Sequence, residues 1–393
     1  MAKLRPLIAP RSPLHRMQSQ LFVAGAGDSP RSSRADVGVH RRFPASLFFL
    51  LVAGLSVIFI YRGASPTLPS PRYAMHLNRS RLSSIPADDI LDAVDLDNEE
   101  MRLMLVLEEA AMDDNTVILT TLNAAWASAG SIIDLFLESF HIGYGTRVLL
   151  DHLVIIAFDK KAYLRCIDLH PHCFALRTEG VDFSGEKKFM SEGYLKMMWR
   201  RIDFLRVVLE KGFNFIFTDT DVMWFRNPLP HFFPDGDFQI ACDQFIGNPL
   251  DRNNRPNGGF NFVKSNNRTI EFYKYWYESR EKHPGYHDQD VLNIIKYDSF
   301  IDEMGLEMRF LSTAFFGGLC EPSRNLNVVC TMHANCCIGL SSKISDLKLM
   351  LEDWRRYMSL PPALKRSRLP LWRVPKNCSL ASLHELISPH TTP

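Results

Sequence analysis

The sequence predicts an α/β domain built on a mostly parallel sheet flanked by helices, preceded by an N-terminal transmembrane helix. Short β-branched and aromatic runs alternate with longer segments of helical period, the pattern of βαβ units. Of 393 residues 46% are apolar, enough to bury a sizeable core and to exclude a disordered chain. An uncharged apolar stretch, Pro44 to Tyr61, directly follows Arg41-Arg42. Charge excludes another class: 45 Lys plus Arg against 44 Asp plus Glu leaves no basic excess for general nucleic-acid binding.

Residues 1–42 hold eight Lys/Arg against two Asp, so the remainder is mildly acidic. A helix over 44–61 rises roughly 27 Å, enough for a thin hydrocarbon layer. The positive-inside rule places the basic tail, 1–43, in the cytosol and everything after Tyr61 in a lumen. A cleaved signal peptide is the alternative; it would change the anchor, not the compartment. Residues 62–111 are the stem. Pro66, Pro69, Pro71 and Pro86 make its first part a solvated stalk, and Asp88 to Met112 is acidic with helical apolar spacing.

The core domain is expected over 112–361, with a tail at 362–393. Thr116 to Thr120 predicts its first strand. Ser131 to Phe140 has helical spacing, stopped by Gly143. Leu153 to Ala157 is the next strand. Gly193 to Lys211 predicts a long helix ended by Gly212, and Phe213 to Phe217 a buried strand. Asn327 to Val329 reads as a late strand, and Asn257-Gly258-Gly259 as a turn before Phe260-Asn261-Phe262. Ligands of such sheets bind beyond the carboxyl ends of the strands.

All eight cysteines lie beyond the anchor, an even number that suits an oxidising compartment. Cys166 with Cys173 and Cys320 with Cys330 would each close a short loop and are the favoured pairs. A zinc site is the alternative for two clusters, Cys166/His170/His172/Cys173 and Cys330/His333/Cys336/Cys337. Neither has the paired C-x-x-C spacing of a structural site. Glycosylation acceptor triplets start at Asn78, Asn267 and Asn377.

Four Asp-x-Asp triplets occur, and context separates them. Asp95 and Asp97 sit in the acidic helical segment, Asp235 and Asp237 flank Gly236 in a turn, and Asp288 and Asp290 open an apolar helix. Asp219-Thr220-Asp221 alone comes straight after an apolar strand. Two carboxylates at the ligand edge of a sheet repel each other, and a divalent cation removes that cost. Oxygen ligands suit Mn²⁺ or Mg²⁺, which keep open positions for phosphate oxygens. Two solvated loop carboxylates are the alternative. His333 at a strand end could ligate the same ion or be an ordinary satisfied polar residue. Asp288 could equally be a helix N-cap.

These runs resemble the plant nucleotide-diphospho-sugar transferases of glycosyltransferase family 77. The resemblance is carried by Thr120 to Asn123, Phe189-Met190, Trp199 to Arg201, Phe217 to Pro228, Asn257 to Gly259, His287 to Asp290 and Met332 to Asn335. It covers roughly Met112 to Pro361 and lies in the order of the motifs. It implies a GT-A type, Rossmann-like fold and transfer from a UDP-sugar, with retention of anomeric configuration. It implies metal ligation by Asp219, Asp221 and His333, with Thr220 between them at the nucleotide. Asp288, Gln289 and Asp290 are implied at the donor sugar, beside the Asn257-Gly258-Gly259 loop. Thr121 and Asn123 are candidates for base and ribose, and Arg201 (or Arg200) and Lys343 for the diphosphate. Lys343 lies ten residues beyond His333, farther than the family places its lysine.

The expected protein is thus a single-pass type II Golgi membrane enzyme whose lumenal domain glycosylates a cell-wall glycan or glycoprotein. The donor implied is a UDP-activated pentose such as arabinose or xylose, or galactose. Two rivals from other classes are a metal-dependent phosphoesterase and a silent sugar-nucleotide-binding scaffold.

Overall fold

Leu153–Ala157 is buried at every position, as a strand covered on both faces must be. It is β2 of the sheet seen in a computed structural model, which describes residues 96–367 and 371–378, within the unit Ile85–Pro393. The predicted cytosolic tail, the anchor, most of the stem, Asn78 and the chain's last residues lie outside the described residues. Among the described residues no helix is long and apolar enough to cross a membrane.

The described part opens with helix α1 (Leu96–Ala110) and β1 (Thr116–Leu122), which runs two residues past the predicted strand and takes in Thr121. Helices α2 (Ala124–Ala127) and α3 (Ile132–Ile142) precede β2; α4 (Lys160–Leu169) and β3 (Cys173–Ala175) follow it. The long helix α5 spans Glu192–Glu210, and Gly212 just beyond it has φ +87°, the left-handed stop the sequence promised. Then come β4 (Asn214–Thr218), β5 (Val222–Trp224), β6 (Phe238–Gln244), β7 (Arg255–Val263), α6 (Asn267–Ser279) and α7 (Asp288–Ile295). After α8 (Ser299–Glu303) the chain adds β8 (Met308–Phe310), β9 (Phe316–Gly318), β10 (Thr331–His333) and α9 (Leu340–Ser359).

Seven strands form the main sheet in the order β3-β2-β1-β4-β7-β6-β8. Only β7 runs against its neighbours, so the mostly parallel α/β architecture is as expected. Alternate side chains feed two cores. Ile118, Leu153, Ile155 and Ile216 pack under α3 and α9. Val117, Val154, Ile156, Phe215 and Phe217 pack under α1, α5, α6 and α7. A second, three-stranded sheet has the order β5-β10-β9.

Three local expectations are corrected. Asn257-Gly258-Gly259 is no turn: the residues lie inside β7, the strand between β4 and β6, at its register irregularity. The late strand is Thr331–His333 rather than Asn327–Val329, because pairing with β5 and β9 fixes it there. Cys320 bonds Cys336, not Cys330. Cys166–Cys173 forms as expected, Cys337 bonds Cys378, and Cys242 and Cys330 are buried free thiols. With Cys166, Cys173, Cys336 and Cys337 in disulfides, the first zinc cluster retains no free cysteine and the second only Cys330.

Candidate functional site

The chain order places β2 and β3 on one side of β1 and β4 on the other. Strand order therefore reverses between β1 and β4, and ligands bind at the carboxyl ends flanking such a crevice. Asp219 follows β4 directly, and its backbone N–H donates to Gly259 O at 2.7 Å. The turn through Thr220 closes with Val222 N–H on Asp219 O, and β5 begins. Antiparallel pairing of β5 with β10 sets His333 opposite Val222, and Ala334 N–H donates to Asp221 O. A histidine more than a hundred residues away thus arrives beside the acidic pair.

Asp219, Asp221 and His333 present ligand atoms all within 4.8 Å of one another. His333 Nε2 lies 3.2 Å from Asp221 Oδ1 and 4.0 Å from Asp219 Oδ2. Asp221 is 1% exposed, and its Oδ1 receives no aligned hydrogen bond. Oδ2 accepts from Lys343 Nζ at 2.5 Å, with the ammonium also over the Trp126 ring. Burial would raise the Asp221 carboxyl, but Lys343 and His333 outweigh it and hold it well below the carboxylate range. Burial lifts Asp219, Arg201 works against that, and Asp221 adds to the rise. His333 titrates above an ordinary imidazole: burial opposes protonation, and Asp221 and Asp219 overcome it.

Arg201 is 4% exposed on α5 and joins two parts of the site. Its Nη1 donates to Asp219 Oδ1 at 2.9 Å and its Nη2 to Asp288 Oδ2 at 2.6 Å, with the guanidinium over Phe217. Both Nη groups hold carboxylates, so Arg201 aligns the acidic residues. Arg200 points elsewhere, to Asp203, Thr178 and Arg177 O. Burial opposes ionisation of Asp288, yet Arg201 and His287 bring its pKa down to about 2. His287, not Asp288, is the N-cap of α7: its Nδ1 accepts from Gln289 N–H. Asp290 is half-buried, 3.3 Å from His287 Nε2 on the far side from Asp288.

Close approach requires glycine at 259 and leaves little room at 258. A Cβ on Gly259 would stand 2.4 Å from His333 Cε1 and 2.7 Å from Asp219 Oδ2; one on Gly258 would stand 3.2 Å from Asp288 Oδ2. The structure therefore brings together Asp219, Asp221, His333, Lys343, Arg201, Asn257, Gly258, Gly259, Asp288 and Gln289. Thr220 is buried with its hydroxyl unpartnered. Thr121 is half-buried at the end of β1. Asn123 has another task from the one expected: it caps α2 through Trp126 N–H and holds Phe183 O and Gly185 O.

One residue escaped the sequence. Asp243, at the end of β6, accepts from Asn257, Asn335 and Gln289. Its signal is the one that marks Asp219, a carboxylate at a strand end, but Phe238–Gln244 lacks the continuous apolar run that announces β4.

A doubly wound sheet with carboxylates, an imidazole and a lysine at its switch point defines an α/β protein with a charged site at its strand ends. Residues 148–347, just over half of the chain, match the family described as nucleotide-diphospho-sugar transferase. Uncharacterized protein At4g15970 of Arabidopsis thaliana is 52% identical over 278 residues, 70% of this chain and 73% of that protein. Uncharacterized protein At1g28695 of the same plant is 41% identical over 291 residues, 72% of this chain and 83% of that one. UDP-D-xylose:L-fucose alpha-1,3-D-xylosyltransferase MGP4, also from Arabidopsis thaliana, is 26% identical over 116 residues, 30% of this chain and 32% of its own. The chain belongs to the nucleotide-diphospho-sugar transferase family, and it is a nucleotide-sugar-dependent glycosyltransferase. That sets aside the phosphoesterase reading.

Proposed function

We propose that the domain transfers a pentose such as arabinose or xylose, or galactose, from UDP to a cell-wall glycan or glycoprotein. The transfer is metal-dependent and retains the anomeric configuration. The observation that carries the metal reading is the buried Oδ1 of Asp221, without an aligned donor, 3.2 Å from His333 Nε2 and grouped with Asp219. Two carboxylate oxygens and one imidazole suit Mn²⁺ or Mg²⁺. A bound dication there supplies Lewis-acid charge to a departing diphosphate. The pentose assignment is supported by the xylosyltransferase MGP4, a partial relative.

The chain's own side chains divide the remaining work. Lys343 sets a cation beside Asp221, where negative charge grows on the leaving group. Arg201 keeps Asp288 ionised inside the protein, next to the Gly258 backbone. Asp288 and the Gln289 carboxamide are then fixed polar partners for sugar hydroxyls. Front-side attack assisted by the leaving phosphate needs no dedicated base.

A thermal-shift screen of UDP-sugars with and without Mn²⁺ tests this, since a ligand of the native state raises Tm by mass action. One UDP-sugar is expected to stabilise the domain with Mn²⁺ and to be turned over. Asp219→Asn and Asp221→Asn are expected to abolish turnover while the domain still folds. Full activity of either variant in chelator would refute the metal reading. We also propose the Golgi type II topology: a tag at Met1 is expected to be protease-accessible on intact microsomes and one at Pro393 protected. The reverse pattern would refute it.

A further inference from the structure

We propose that Asp243 is a positioning residue that fixes the Gln289 and Asn257 carboxamides in the donor site, an assignment that rests on the sugar-transfer reading above. Asp243 is the penultimate residue of β6 and lies within a register irregularity against β7. Its Oδ1 accepts from Asn257 Nδ2 at 2.8 Å and Asn335 Nδ2 at 2.7 Å; its Oδ2 accepts from Gln289 Nε2 at 2.9 Å. The carbonyl oxygens of the same three amides are also engaged. Gln289 Oε1 accepts from Gly258 N–H at 3.1 Å, Asn257 Oδ1 from Gly259 N–H at 2.9 Å, and Asn335 Oδ1 from Cys320 N–H at 3.1 Å.

A backbone N–H only donates and an ionised carboxylate only accepts. Each of the three amides therefore has one admissible orientation, set at both ends. The carboxylate ties β6, β7, the start of α7 and the segment after β10 into one unit. The Cys320–Cys336 disulfide holds the last of these, one residue beyond Asn335. The two fixed amides flank Gly258 and Gly259, whose backbone abuts Asp288 on one side and Asp219 with His333 on the other. Asp243 is not among the metal-ligating group and acts on the donor through its neighbours.

Asp243→Asn keeps the shape but turns an NH₂ against one of the three NH₂ donors, releasing an amide. Misplacing a reacting partner by an ångström costs about 10²-fold in rate. With the UDP-sugar that the unsubstituted protein turns over, and Mn²⁺, kcat is expected to fall roughly 10²-fold both for hydrolysis to water and for transfer. The donor KM and the Mn²⁺ half-saturation should move by less than about threefold, since the triad is untouched. In a Gln289→Ala background the same substitution should lose most of its effect, because residues acting as one unit are non-additive. Additive losses would overturn the assignment. So would lost transfer with intact hydrolysis, or a lowered Tm with unchanged kcat. Absence of turnover in the unsubstituted protein would overturn the sugar-transfer reading and this assignment together. Normal turnover with an unaffected Asp243→Asn would overturn this assignment alone.

Discussion

Gly259→Ala adds one carbon at the tightest point of the site. The new Cβ would lie 2.4 Å from His333 Cε1, 2.7 Å from Asp219 Oδ2 and 3.0 Å from Asn257 Oδ1. Ordinary contact needs about 3.4 Å or more, so the imidazole must retreat by roughly 1 Å. It cannot do so freely: His333 lies in β10 and is buried beside Asp221. Overpacking of this kind costs about 1–3 kcal/mol of stability. The functional loss is larger, because a ~1 Å displacement of one member of a reacting group costs about 10²-fold. Gly258→Ala is the internal control. Its Cβ meets Asp288 Oδ2 at 3.2 Å and Arg201 Nη2 at 3.4 Å, within reach of small adjustment. Neither glycine is in the left-handed region, so the difference between the two variants is steric. Donor turnover and the Mn²⁺-dependent rise in Tm should fall steeply in Gly259→Ala and only modestly in Gly258→Ala. Gly259→Ala with unaltered turnover and unaltered Mn²⁺ response would refute the close packing of His333 and Asp219 about that glycine.

Three further outcomes are expected. Arg201→Met strands the buried Asp288 without its guanidinium and should destabilise the domain by about 3–5 kcal/mol, read by urea unfolding at pH 7. Asp288, depressed to about 2, lends stability that is present above the ordinary carboxylate pKa and fades as pH falls through 2. That acid-side contribution, ~2 kcal/mol, should be missing from the pH profile of the variant; an identical profile would refute the pairing. Peptide mapping without reduction should recover Cys320 joined to Cys336 and alkylate Cys242 and Cys330 only after unfolding; a Cys320–Cys330 peptide would refute the observed pairing. Cys320→Ser should cost ~3 kcal/mol and weaken turnover, because the 16-residue closure clamps the segment carrying His333 and Asn335.

Elements whose signal is local are legible in the sequence. The buried run Leu153–Ala157 matches its strand residue for residue, and the amphipathic period of α5 with its terminal Gly212 places that helix to within a residue or two. Asp219 and Asp221 stand out for the same reason: an acidic pair after an apolar strand is a contrast visible within a dozen residues. Where a local signal has two outcomes, the structure chooses. Asn257-Gly258-Gly259 has turn composition, yet its glycines serve approach between strands rather than reversal of the chain.

By itself, then, the sequence determined the alternation of strands and helices and the acidic pair at a strand end. Tertiary structure decided which distant groups meet that pair. His333 reaches it through the β5–β10 register, Arg201 by bridging from α5 to α7, and Asp243 by gathering amides from three segments. Cys320 took Cys336 because the β9–β10 pairing brings those ends together, while sequence separation alone favoured the nearer Cys330. The reason is physical: periodicity and capping act over a few residues, whereas pairing register, burial and packing are set only once the whole sheet has assembled.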